Sequence, residues 1–115
     1  MIEEVIREWL NSNLKTVKAY LETPENAARE YVLIEKTSGS TEKGLSNATI
    51  ITQSYSSSLH GAAALSKRVR KIMQKIIELD EATKITLNSE YNFTDTETKR
   101  YRYQAVFDIK FYEEG

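Results

Sequence analysis

The sequence predicts an α+β fold: a two-layer sandwich with two helices packed on one face of an antiparallel or mixed sheet. Three observations carry this. Near the C-terminus, Tyr101, Tyr103, Ala105, Phe107, Ile109 and Phe111 alternate with Arg102, Gln104, Asp108 and Lys110, the period of a strand with one buried face. A second alternating run sets Ile85, Leu87, Tyr91 and Phe93 against Thr86, Asn88, Glu90 and Asn92. Across the polar bend at residues 94–99, the two runs are predicted to pair as a long antiparallel hairpin, with the apolar set on the buried face. Ahead of them Leu65, Val69, Ile72, Ile76 and Leu79 recur at spacings of four and three, the stripe of a long amphipathic helix.

The remaining elements follow from the same patterns. Ile2, Val5, Ile6, Trp9 and Leu10 form a helical stripe opposite Glu3, Glu4, Arg7 and Glu8, with the acids favourably placed near the positive helix end. Asn11-Ser12-Asn13 is expected to end this helix, and Val17, Ala19 and Leu21 alternate with Lys18 and Tyr20 as a short strand stopped by Pro24. Residues 22–30 read as a loop. The continuous run Tyr31-Val32-Leu33-Ile34 suits a central strand. Residues 48–55, rich in β-branched side chains, make its hairpin partner across a long mobile tip. The second helix is expected to start at Ser57 or Ser58, whose hydroxyl can cap free amides, and to run to about Asp80, on the order of 33 Å. The order is α-β-β-β-α-β-β in a single domain spanning residues 1–115.

Composition narrows the function classes. A chain of 115 residues, 40% hydrophobic and 29% charged, has the apolar material for one core burying roughly two-thirds of its unfolded surface. The formal net charge of -1 gives no general attraction to nucleic acid or anionic lipid. The absence of cysteine excludes disulfides and thiolate ligands and fits a reducing interior. The acidic start Met1-Ile2-Glu3-Glu4 does not resemble a secretory signal, and no apolar run approaches the roughly 20 residues of a spanning helix, so a soluble protein is expected.

No reactive constellation emerges. His60 is the only histidine and lies at a helix start, away from any glycine-flanked elbow that would expose a serine nucleophile. Asp80-Glu81 and the turn acids Asp95 and Glu97 lack the regular acidic loop of calcium sites and the histidine pairs of zinc sites. The four glycines form no phosphate-binding loop. The reading is therefore of a protein that is not an enzyme, with no metal, cofactor or small-molecule substrate. Two surfaces could bind partners. One is the basic helix face Lys67, Arg68, Arg70, Lys71 and Lys75, which could grip phosphates but equally suits a solvated helix back or an intersubunit salt-bridge surface. The other is the tip Ser38, Gly39, Ser40, Thr41, Glu42, Lys43 and Gly44, whose glycines and hydroxyls imply a segment that orders against a partner.

Three segments carry a family resemblance. They are Tyr31-Val32-Leu33-Ile34-Glu35-Lys36-Thr37-Ser38-Gly39, the run Ile51-Thr52-Gln53-Ser54-Tyr55 leading through Ala62-Ala63-Ala64-Leu65 to Val69, and Arg100-Tyr101-Arg102-Tyr103-Gln104-Ala105-Val106-Phe107-Asp108-Ile109. Together they resemble the tail terminator, or tail completion, proteins of long-tailed bacteriophages and prophages, over nearly the full chain and as a pattern of apolar and aromatic positions. A departure is Glu25-Asn26-Ala27-Ala28-Arg29-Glu30, where related chains often place further prolines. The resemblance implies a hexameric ring that caps a finished tail tube, stops its polymerisation and presents a joint to the head connector protein. It further implies assembly in the host bacterial cytoplasm and residence at the head-tail junction of the virion. On this reading the seven tip residues meet the tube or a neighbouring subunit, and the five basic helix residues meet within the ring. An adaptor or stopper of the same junction is the structural alternative, and a small nucleic-acid-binding module using the basic helix is the alternative from another class.

Overall fold

The computed structural model describes residues 1–112. The elements are α1 (Ile2–Leu14), β1 (Lys18–Tyr20), β2 (Tyr31–Glu42), β3 (Leu45–Ser56), α2 (Leu59–Gln74), a single 3₁₀ turn (Ile76–Glu78), β4 (Ala82–Asn92) and β5 (Tyr101–Tyr112). This is the predicted α-β-β-β-α-β-β order. The five strands form one mixed sheet, β1-β2-β3-β5-β4, parallel between β1 and β2 and antiparallel elsewhere.

Strand alternation sends Val32, Ile34, Ala48, Ile50, Ala105, Phe107, Ile109 and Phe111 to one face, where they meet Ile2, Ile6, Leu10 and Leu14 of α1 and Leu65, Val69 and Met73 of α2. Full burial of a side chain such as Phe107 or Ile50 contributes about 1.5–3 kcal/mol. The helices run antiparallel. Trp9 Nε1 donates to the Ile72 carbonyl at 2.8 Å, and Arg68 Nη2 donates to the Leu14 carbonyl at 3.1 Å. Rising number along α1 therefore meets falling number along α2. Ser58 caps α2 as predicted, its hydroxyl accepting from the Gly61 amide at 2.9 Å.

Four expectations are corrected. Asn11-Ser12-Asn13 does not break α1, which runs on to Leu14 and stops where Lys15 adopts a φ of 69°. Leu14 completes a fourth rung at i+4 spacing, and the Asn11 amide bonds both the Ala19 N–H (2.7 Å) and the Ala19 carbonyl (3.2 Å), anchoring β1. Packing and these bonds override a helix-propensity penalty of about 0.7 kcal/mol or less per residue. β1 itself keeps only its three central residues. The second helix ends at Gln74, not near Asp80. Its length is about 24 Å. The following 3₁₀ turn keeps Ile76 buried while bringing the chain round to β4, and it leaves Ile77 52% exposed.

The third correction concerns the tip. Residues 38–42 are strand, paired Ser38↔Thr49, Gly39↔Ala48, Ser40↔Asn47, Thr41↔Ser46 and Glu42↔Leu45. Only Lys43 and Gly44 remain as a turn, with φ values of 54° and 80°, the left-handed pair that a tight type I′ hairpin requires. Gly39 has a packing reason in this ladder: a Cβ there would lie 3.1 Å from the Lys36 side chain and 3.2 Å from the Asn47 carbonyl. The β-branched partner strand imposes its register on a segment whose own composition reads as loop.

The fourth correction is a change of face. The β4–β5 hairpin forms, but a register shift between Leu87 and Ser89 marks a bulge. Ile85 and Leu87 pack against the core, as expected. Beyond the bulge Glu90 takes the helix side, and Tyr91 pairs with Gln104 on the opposite face. Tyr91 and Phe93 are 41% and 42% exposed, not members of the buried face.

Candidate protein-binding surface

The five basic residues of α2 divide into two groups. Arg68 is committed to the end of α1 through the Leu14 carbonyl. Arg70 Nη1 pairs with Glu90 Oε1 at 2.6 Å, and Ser66 Oγ donates to Glu90 Oε2 at 2.7 Å, so this cation joins α2 to β4. Lys67, Lys71 and Lys75 are exposed. The basic face is thus partly structural. The seven tip residues are all exposed, on a paired hairpin end and not on a loop. His60 is exposed at the start of α2.

The sheet face opposite the helices holds the arrangement that sequence reading did not assemble. Tyr31 and Tyr55 stand directly opposite on β2 and β3 with rings stacked at 4.5 Å and 10°. Tyr20 of β1 meets Tyr31 edge-on at 6.4 Å. Arg102 pairs with Tyr55 across β3 and β5, donating Nη1 to the Tyr55 hydroxyl at 2.9 Å and Nε to the Phe93 carbonyl at 2.7 Å. Its Cζ lies 4.6 Å from the Phe93 ring centre and 5.7 Å from that of Tyr55. Arg100 Cζ lies 5.1 Å from the same Tyr55 ring, and its Nη2 donates to the Tyr31 hydroxyl. Next along the face, Gln53 Nε2 donates to Gln104 Oε1 (2.9 Å) and Gln104 Nε2 to the Tyr91 hydroxyl (2.6 Å), which fixes Tyr91 edge-on to Phe93 at 6.0 Å.

Two guanidinium groups therefore share one tyrosine ring. Among the described residues neither has a carboxylate within ion-pair distance. Asp95 is near enough for Arg102 to contribute a small lowering of its pKa, but its carboxylate is held by its own turn. The Thr98 hydroxyl and the Glu97 and Thr98 amides are the hydrogen-bond donors that depress its pKa. Burial pushes the Tyr31 phenol above its ordinary pKa of 10.0, and Arg100 acts in the opposite sense. The patch carries cationic donors beside exposed aromatic rings, a composition suited to gripping an acidic protein segment.

At the other end of the same face, Ser40, Thr49, Lys84, Thr86, Asp108 and Lys110 line a shallow groove of about 510 Å³, with Lys84 directly opposite Lys110. Asp108 accepts from Thr49 Oγ1 at 3.1 Å and from Asn88 Nδ2 at 3.1 Å. Among the described residues no group of three or more His, Cys, Asp or Glu is placed to hold a metal ion. No helix among them is long and apolar enough to cross a membrane.

The arginine–aromatic patch could have been anticipated from one signal. Arg102 and Gln104 are the polar half of an alternating strand, and Tyr31 and Tyr55 sit at the ends of apolar runs that pair with each other and with that strand. What hid it was the bulge, which brings Phe93 and Tyr91 to the arginine side. No protein-family model matches this chain, and no curated protein matches it.

Proposed function

We propose that this chain is an assembly protein of a long-tailed phage or prophage: it caps the end of the tail tube as a hexameric ring, stops tube polymerisation and forms the joint to the head connector. The observation that carries the reading is the one-sided sandwich. Both helices pack on one sheet face, and the other presents a rigid patch of Arg100, Arg102, Tyr91 and Phe93 suited to protein contact. The residue pattern of β2, β3 and β5 supplies the resemblance to tail terminators.

The partners on this reading are further copies of the chain, the tail tube protein and the head connector protein. The exposed hairpin end at residues 38–44 meets the tube or a neighbour. Lys67, Lys71 and Lys75 remain available within the ring, whereas Arg68 and Arg70 support their own subunit. No bond is made or broken in this role.

The test is tail length by negative-stain electron microscopy in lysates with the gene silenced. Tails of uncontrolled length, unattached to full heads, are expected. Tails of normal length that fail to join would reassign the chain to an adaptor or stopper, and normal virions would overturn the structural reading. The nucleic-acid alternative predicts binding to random duplex DNA that weakens steeply with salt, and none is expected here.

A further inference from the structure

β4 carries two unlike surfaces at its two ends. Just before it, Ile77 is 52% exposed and is followed by Glu78, Asp80 and Glu81, all exposed, against Lys75 as the nearby cation in sequence. Because α1 is antiparallel to α2, its acidic first turn, Glu3 and Glu4, points toward this same end. Just after β4 comes exposed Phe93, with Tyr91 beside it and the two guanidinium groups of Arg100 and Arg102 above the shared Tyr55 ring. Eleven extended residues separate the two surfaces by about 36 Å, most of the 45 Å long axis of the molecule.

We infer that the two ends are complementary halves of one contact, so that the Ile77-Glu78-Leu79-Asp80-Glu81 segment of one copy docks on the Tyr91–Phe93–Arg100–Arg102 patch of the next. Each half has an exposed apolar side chain beside a cluster in which one sign predominates: Glu78, Asp80 and Glu81 against Lys75 in the first, and Arg100 and Arg102 in the second, where Asp95 is held by the amides and hydroxyl of its own turn. Ile77 covers Phe93 and Tyr91, and the carboxylates meet arginine forks whose remaining N–H groups are suited to bidentate pairing. The cost of holding two guanidinium groups on one ring is offset when a carboxylate arrives between them. Unlike surfaces at opposite ends make a heterologous contact, the kind that repeats head to tail and closes into a ring when the rotation permits. Lys84 and Lys110, near the acidic end, lie on the bare sheet face, whereas the acidic segment joins α2 to β4.

This inference rests on the self-association in the proposed function and specifies its surfaces. The test is sedimentation velocity of the full chain over a concentration series, at about 0.05 M and about 0.5 M salt, between which exposed charge pairs become strongly screened. Wild type is expected to associate, more weakly at high salt. Arg100→Glu, and separately the double substitution Asp80→Lys with Glu81→Lys, should each weaken association at least about tenfold, and a mixture of the two variants should recover a heterodimer, because the intact acidic segment of the first meets the intact arginine patch of the second. Circular dichroism checks that each variant is folded; the acid-side residues are exposed and outside the core, so that arm remains informative if Arg100→Glu unfolds. Oligomers that persist in both folded variants would overturn this contact and leave the ring to other surfaces. A wild-type chain that stays monomeric at every concentration would overturn it as well, while tail length would still decide the terminator reading.

Discussion

Trp9 and Ile72 are joined by an indole-to-carbonyl hydrogen bond of 2.8 Å that ties the middle of α1 to the last turn of α2. The Ile72 carbonyl belongs to the last four of its helix, which lack a regular intrahelical partner, and it also accepts from the Lys75 amide at 3.1 Å. Trp9→Phe keeps most of the apolar contact and deletes the donor. It is expected to lower stability by about 1 kcal/mol, or about 4 °C in Tm, measured by thermal denaturation with wild type alongside. An unchanged Tm would show that water replaces the indole without loss.

The tight turn at Lys43 and Gly44 makes a second expectation. With φ of 80° at Gly44, Gly44→Ala should destabilise by about 1 kcal/mol, and Lys43→Asn, which suits the left-handed region better, should stabilise slightly. Urea midpoints of the two variants should move in opposite directions.

Arg70 and Glu90 are 28% and 15% exposed as side chains, and Ser66 supplies the second bond to the carboxylate. Arg70→Ala leaves that carboxylate half-satisfied beneath α2 and should cost about 2 kcal/mol, less than a fully buried pair because water reaches both groups. Combined with Glu90→Gln the loss should fall below the sum of the two single losses, a coupling that a double-mutant cycle in urea measures directly.

The Tyr31 phenol titrates above its unfolded value because burial disfavours the phenolate. The folded state therefore holds its proton more tightly. Its contribution is complete below about pH 10 and is lost as pH rises through the folded value. Unfolding midpoints should run parallel in wild type and Tyr31→Phe below about pH 10 and fall more steeply in wild type above it; curves parallel throughout would remove Tyr31 as the source.

How much of this was legible depends on which residues made the signal. The five strands and the two helices came from periodicity that survives in the structure, above all the Ala105, Phe107, Ile109 and Phe111 face and the Leu65–Val69 stripe. Element ends were read poorly where local chemistry and tertiary contact disagreed. Asn11 and Asn13 read as breakers but bond to Ala19 and Trp9, and the tip glycine and hydroxyl residues read as loop but pair with β3. The binding patch was hidden for a different reason. Its members come from β1, β2, β3, β4 and β5, and only the strand order places Tyr31, Tyr55 and Arg102 in one row.

The bulge after Leu87 gives the chain a parity that evolution must keep. Immediately upstream of it the odd-numbered Ile85 and Leu87 face the helices, and downstream the even-numbered Glu90 does. Deleting one residue there would leave composition almost untouched, yet it would carry Glu90 out into solvent and turn Tyr91 and Phe93 toward the helices, exchanging an entire surface in one step. Substitutions can therefore adjust either face gradually, while length changes near residue 88 are all-or-none events, and an indel tolerated there in a related chain would have to come with a second, compensating one.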